Sequence, residues 1–303
     1  MNIPMNKYFL IVCLAICLDI HAQDDYDSMI AAMEAAKLQQ DSIDMSRLVV
    51  VYGYECRTQD ADGQAVVDRM KVAVQIGNHV TRSYPYRKFR EDADAIDYLS
   101  PNNYPVLKAE SYCFMPEVWT GYPEGKQTVR DHIMPNHYET CQALQPIRWT
   151  LKEDTVTVGG YLCQTATCEL YGRKWLACYA DDIPTTAGPW KLGGLPGLIV
   201  AAQTADGIHR FRLVSVQRIA TPIYYEHNAI TIKLSEEKLI KRRQKIFGNK
   251  HYPKCPTYYI PDRQSLNNSA DVTFGQVGDD SFCIINGVLE NHDAHVYQPL
   301  EIK

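Results

Sequence analysis

Six stretches between residues 48 and 219 consist largely of β-branched and aromatic residues bounded by Gly, Asp or Asn. They are LVVVYGYE (48–55), RMKVAVQIG (69–77), DTVTVGGYLCQTATCELYG (154–172), KWLACYA (174–180), GLIVAAQT (197–204) and IHRFRLVSVQRI (208–219). Side chains of this kind fit a pleated, half-buried surface, so the chain is expected to be mainly β. Asp62-Gly63 and Asp206-Gly207 fall between successive runs and are placed as hairpin turns. Residues 83–147 carry seven prolines and many tyrosines and read as loop-rich.

Two segments break this pattern. YDSMIAAMEAAKLQQDSIDM (26–45) is rich in good helix formers without Gly or Pro, and predicts an N-terminal helical segment over 23–46 ahead of a single β-rich domain, 47–303. SEEKLIKRRQKIFG (235–248) predicts a second helix, capped by Ser235, with Glu236 and Glu237 at its positive end and Gly248 stopping it. Leu239, Ile240, Ile246 and Phe247 form its buried side, and the basic cluster Lys241, Arg242, Arg243 and Lys245 reads as a solvated face.

The chain has 303 residues and a formal net charge of −5, so no overall positive field draws it to nucleic acid. Residues 1–22 read as an export signal: Lys7 is the positive flank, Tyr8 to Leu18 the apolar run, and His21-Ala22 the cleavage site. That run is far shorter than the roughly 20 residues needed to span a bilayer, so the chain is not expected to be an integral membrane protein. Cys13 and Cys17 leave with the signal. Eight cysteines remain as disulfide candidates in an exported protein: Cys56, Cys113, Cys141, Cys163, Cys168, Cys178, Cys255 and Cys283. Cys163 and Cys168 point to opposite faces of one strand. A three-residue loop Gly172-Arg173-Lys174 would instead set Tyr171 opposite Trp175 and Cys168 opposite Cys178, giving a cross-strand disulfide.

No GxSxG, HExxH or GxGxxG occurs, and Gly121 to Lys126 is one residue too short for a phosphate loop, with Gln127 where a metal-binding hydroxyl belongs. His292 and His295 flank Asp293 at a spacing that suits a helix, but the following VYQPLEIK looks extended, so no metal is assigned; His132 and His137 lie in a proline-rich loop. Asp181-Asp182 is the one acidic pair near the block described next, and adjacent residues in an extended chain point apart, which favours a solvated turn. No cofactor is called for.

GPWKLGGLPGLIVAA (188–202) concentrates glycine and proline beside an apolar run. Pro196-Gly197 suits the centre of a type II turn before a strand at Leu198, Ile199 and Val200, whereas a phosphate cradle at Gly193-Gly194 lacks a following helix N-terminus. By default the Lys191 stem covers apolar surface beside Trp190. GLPGLI at 194–199 resembles the signature of the GLPGLI family, exported proteins of Gram-negative bacteria with no assigned biochemical activity. Around it, Ile183-Pro184 and Gly188-Pro189-Trp190-Lys191 look like that family's core block, Cys163-Gln164-Thr165-Ala166 like its preceding strand, and Tyr297-Gln298-Pro299-Leu300-Glu301 like its closing segment. Thr165 stands where Lys is common, and Gln298 where Asn is usual. The resemblance implies a large curved antiparallel sheet or partial barrel with a few flanking helices, similar to periplasmic lipid or lipoprotein carriers. On this basis Gly188, Pro189, Trp190, Lys191, Gly194, Leu195, Pro196, Gly197, Leu198 and Ile199 are expected to be structural. The expected role is a non-catalytic, envelope-located binding or assembly factor for an apolar or peptide-like ligand or an outer-membrane protein. The alternatives are an exported metal-binding or thiol-redox protein, and a hydrolase whose site forms only in three dimensions.

Overall fold

The consecutive valines 49–51 are hydrophobic at every position, as a strand covered on both faces requires, and all three are buried. A computed structural model describes residues 40–60, 62–86, 88–89, 115–133, 136–227, 231–247, 272–277, 280–285 and 295–302. The strands are β1 (Gln40–Met45), β2 (Leu48–Gln59), β3 (Ala65–Ile76), β4 (Thr81–Pro85), β5 (Glu117–Thr120), β6 (Lys126–Ile133), β7 (Asn136–Ala143) and β8 (Thr150–Val158). They continue with β9 (Tyr161–Leu170), β10 (Arg173–Ala180), β11 (Leu198–Thr204), β12 (His209–Gln217), β13 (Pro222–Glu226), β14 (Thr231–Lys233), β15 (Val272–Val277) and β16 (Asp280–Ile285); the helix α1 (Glu236–Phe247) precedes β15.

Twelve strands form one sheet in the order β14-β7-β6-β5-β4-β3-β2-β12-β11-β10-β9-β8. The fold is mainly β, as expected, but the sheet does not close into a barrel, and β14 joins β7 in parallel, which makes it mixed rather than purely antiparallel. No described helix is long and apolar enough to cross a membrane.

Period-2 alternation divides the sheet into two faces. On the first, Tyr52, Tyr54, Val72, Val74, Val118, Val129, Trp175, Ala177 and Phe211 share one apolar cluster with the motif residues Trp190, Leu192, Leu195, Leu198 and Ile199, and with Leu239 and Phe247 of α1. Fully burying a side chain of this size contributes about 1.5–3 kcal/mol, so this cluster dominates the stability of the fold. The second face is covered at one end by the two-stranded sheet β1–β13, where Ile223 packs on Trp119.

Three expectations change. Gln40–Met45 is strand rather than the end of a helix, because it pairs antiparallel with β13; the remainder of the expected N-terminal helix and the export signal lie outside the described residues. Within the stretch 83–147 that reads as loop-rich, the described residues include the strands β5, β6 and β7, while residues 90–114 lie outside the described residues. Its strands escape an apolar-alternation reading because their buried second-face positions hold charges: Arg82 sits opposite Trp119, Glu117 opposite Arg130, and Arg130 opposite Glu139. Third, the β9–β10 loop has two residues, Tyr171 (φ 50°) and Gly172 (φ 77°), not three. Arg173 therefore faces Leu170 and Trp175 faces Cys168, so Cys168 and Cys178 are not opposite each other and the proposed bridge between them is ruled out by register.

Candidate functional site

The motif loop turns a corner, but not through a type II turn at Pro196-Gly197. Its reversal lies upstream: Leu192 N donates to Pro189 O (3.0 Å), Gly194 N donates to Thr186 O (2.7 Å), and Ala187 bridges Gly193. Gly197 does not adopt a left-handed φ. Glycine is needed there because a Cβ would sit 2.3 Å from Ala180 O. The left-handed positions are Gly194 (φ 87°) and, unusually for a bulky side chain, Trp190 (φ 55°). Trp190 N donates to Ser83 Oγ on the interior strand β4 (2.8 Å), and the Trp149 indole, just before the edge strand β8, donates to Gly193 O (2.8 Å), so the loop is tied to two separate parts of the sheet. Gly188, Pro189, Leu195, Leu198 and Ile199 are buried, and Pro196 is exposed.

This reversal drives Lys191 inward. Lys191 packs, and its charged head is buried together with its stem: the side chain is 2% exposed and Nζ pairs with Glu301 (2.5 Å) and Glu236 (2.8 Å). It also lies 4.1 Å from the centroid of the Tyr171 ring, and the Tyr171 hydroxyl donates to Glu236 (2.8 Å). Arg243 of α1, assigned above to a solvated basic face, is buried too. Its Nη2 donates to Asp131 Oδ1 (2.9 Å), its Nε to Asp131 Oδ2, and its Nη1 to Glu301 Oε2. Asp131, Lys191, Glu236, Arg243 and Glu301 thus form one chain of alternating charge at the base of the motif.

The electrostatics favour the charged forms of Lys191 and Glu301. Burial alone would depress Lys191, but Glu301, Tyr171 and Glu236 outweigh it and hold the ammonium up at about 12. Burial would raise Glu301, yet Arg243 and Lys191 pull its carboxyl below the ordinary value. Burial pushes Tyr171 up to about 12. Asp131 differs: burial is the largest influence and, although Arg243 opposes it, the carboxyl is held above its ordinary value.

Glu301 arrives on the segment 295–302, which crosses the first face without helix or strand. Pro299 O accepts from Arg173 Nε (3.0 Å), Arg173 Nη2 (2.6 Å) and His209 Nε2 (3.1 Å). That carbonyl can only accept, so the proton sits on Nε2, and His209 Nδ1 accepts from the Tyr54 hydroxyl (2.8 Å). Leu300 is buried in the main cluster, and Tyr297 packs on Phe247 with ring centroids 5.1 Å apart. Two donors in this neighbourhood, Trp175 Nε1 and Trp190 Nε1, are buried and have no acceptor among the described residues.

The other sequence candidates fall elsewhere. No disulfide joins the described cysteines. Cys163 and Cys178 share a small second-face cluster with Ala180 and Val200, while Cys56 and Cys168 lie in the main core and Cys141 is exposed. Burial raises the Cys163 and Cys178 thiols and pushes Cys168 up to about 12, which opposes thiolate formation. Cys113 and Cys255 lie outside the described residues, as does the side chain of Cys283. His295 Nδ1 pairs with Asp68 Oδ1 (2.7 Å), His292 is outside the described residues, and His132 stands opposite His137 across β6–β7 rather than in a loop. Among the described residues no group of three His, Cys, Asp or Glu is arranged for a metal. Asp181 and Asp182 occupy an exposed turn.

Sequence reasoning missed Asp131, Tyr171, Glu236 and Glu301 as members of the Lys191 cluster. It also missed a second buried network under β13, where Glu117 pairs with Arg82 (2.8 Å) and Lys88 (2.5 Å), and Glu139 with Arg130 (2.6 Å). The one available signal was that the motif lysine and the closing-segment Glu301 carry opposite charge.

No protein-family model matches the chain, and no curated protein matches it. Among solved structures, two crystal forms of PNGF-II are similar. One is 11% identical over 65% of this chain and 32% of that chain, with a TM-score of 0.42; the other is 12% identical over 62% and 32%, with a TM-score of 0.40. The chain thus spans about a third of the length of PNGF-II, and scores this low fall short of a shared fold.

Proposed function

We propose that this is an exported, non-catalytic cell-envelope protein of the GLPGLI type, periplasmic, outer-membrane-associated or secreted, that holds a peptide-like or apolar ligand or an outer-membrane partner. The observation that carries the reading is the fixed charge of the Lys191–Glu301 pair. General acid–base groups work when their pKa lies near the operating pH. Lys191 is instead held up at about 12 and the Glu301 carboxyl is held down, so each keeps one charge state across the neutral range. This pair joins the motif to the 295–302 segment rather than exchanging protons near neutral pH. The raised thiols weigh against the redox alternative in the same way. Native mass spectrometry of the natively exported chain tests the proposal. A stoichiometric adduct released on denaturation is expected; a single unliganded mass, unchanged after incubation with envelope extract, would overturn it.

A further inference from the structure

Independently of the ligand-holding role proposed above, we infer that the uncovered second face of β3, β2 and β12 is a docking surface for an anionic phospholipid membrane. Strand alternation gathers five cations there. Arg69, Glu55 and Arg210 stand side by side across the three strands, Lys71, Gly53 and Arg212 form the next row, and Arg57 pairs with Val67 on the other side of Glu55. From strand geometry the patch measures about 10 Å across the strands and about 14 Å along them. Glu55 is its one acid, shared by Arg69 (3.1 Å) and Arg210 (3.9 Å). Arg57, Lys71 and Arg212 are exposed and pair with no carboxylate among the described residues; Arg210 Nε is buried and finds no acceptor among them. Five cations against one acid leave a local charge of +4 on a chain whose net charge is −5. Like charges set side by side on a sheet cost stability, and an anionic partner removes that cost.

Two observations favour a lipid surface over an acidic polypeptide. The first is the apolar material set among the cations. The β12 bulge between Leu213 and Ser215 releases Val214, which is 56% exposed and lies over Gly53, its Cγ2 3.6 Å from where a Cβ would stand. Gly53 itself has no left-handed φ and no crowding neighbour, so neither conformation nor packing demands glycine there; it leaves bare backbone between Lys71 and Arg212, as at a site of close approach. Val67 is 36% exposed beside Arg57, and Lys71 Nζ lies 5.8 Å from the centroid of the Tyr86 ring. Cations interspersed with exposed aliphatic side chains suit the boundary between headgroups and acyl chains, where phosphates meet the charges and the apolar groups enter below them. The second observation is the sheet order: β3, β2 and β12 are each paired on both sides, so the patch has no free edge onto which a polypeptide could add as a strand.

Cosedimentation of the full chain with vesicles tests the inference. Equimolar phosphatidylcholine–phosphatidylglycerol vesicles should bind it roughly tenfold or more tighter than phosphatidylcholine alone at about 0.05 M salt, and about 0.5 M salt should remove most of that difference. The variant Lys71→Gln/Arg212→Gln should bind the mixed vesicles roughly 20-fold more weakly, with an unchanged melting temperature because both side chains are exposed. Lys238→Gln/Lys241→Gln removes the same charge from the exposed side of α1 and should bind within about twofold of wild type, since those lysines lie outside the patch. Equal binding to both kinds of vesicle would overturn the inference, as would equal weakening by the two double variants, which would mark a general charge effect. A chain that binds soluble polyglutamate through Lys71 and Arg212 but ignores the vesicles would assign the surface to an acidic polypeptide and overturn the lipid reading. None of these readouts depends on a native adduct, so failure here leaves the proposed function standing.

Discussion

Replacing Arg243 with methionine isolates the energetic weight of the buried cluster. Methionine keeps much of the side-chain volume and its contact with the core but removes the guanidinium. Asp131 is 0% exposed and accepts from both Arg243 Nε and Nη2, so the variant leaves a carboxylate in an apolar interior without that partner. Removing one member of a buried ion pair costs about 3–5 kcal/mol, because the remaining charge is no longer compensated. At about 2–4 °C per kcal/mol for a chain of this size, the melting temperature should fall by on the order of 10 °C. Urea denaturation followed by tryptophan fluorescence measures the change, with Trp175 and Trp190 as reporters inside the cluster. The double variant Arg243→Met/Asp131→Leu should recover most of the loss, since it removes the orphaned charge and leaves Glu301 paired with Lys191. A single variant within about 1 kcal/mol of wild type, or a double variant no better than the single, would refute the reasoning.

Three further predictions follow from particular contacts. Gly197→Ala should destabilise the chain by roughly 1–3 kcal/mol, since the new Cβ meets the Ala180 carbonyl backbone at 2.3 Å, which cannot swing aside as a flexible side chain would; a thermal melt checks it. Non-reducing peptide mapping of the exported protein should yield no Cys168–Cys178 peptide, because Cys168 stands opposite Trp175. The Glu301 carboxyl is held below its ordinary 4.5, so the unfolded chain takes up that proton first as pH falls. Its contribution is therefore present above about pH 4.5 and lost below it. The stability gap between wild type and Glu301→Gln should accordingly be widest above pH 5 and close with acidification, as denaturation at stepped pH will show.

Much of the sheet is legible because β2, β3, β9, β10, β11 and β12 follow the expected chemistry of half-buried strands, and Gly63 (φ 80°) and Gly207 (φ 70°) take the turn positions assigned to them. What hides β5 to β7 is that charge occupies their buried positions; Arg82, Glu117, Arg130 and Glu139 look solvated one by one and become core only as cross-strand pairs. Register was the second limit, since a hairpin shorter by one residue moved every β9–β10 partner. The motif was visible, but its chemistry was not. Lys191 and Glu236 are 45 residues apart, Arg243 and Glu301 58, and Asp131 and Arg243 112, distances over which no local pattern links one charge to another. Gly197 was flagged correctly as special for the wrong cause: the position demands space rather than a left-handed φ.

The central claim is that the motif lysine and the 295–302 segment are locked together by charge. A double-mutant cycle of Lys191→Met and Glu301→Gln, read by chemical denaturation at pH 7, tests it most directly. The account predicts a coupling energy of about 1.5 kcal/mol or more, as measured for close buried charge pairs. Additive effects, with coupling below about 0.5 kcal/mol, would mean that Lys191 and Glu301 do not depend on each other and would contradict it.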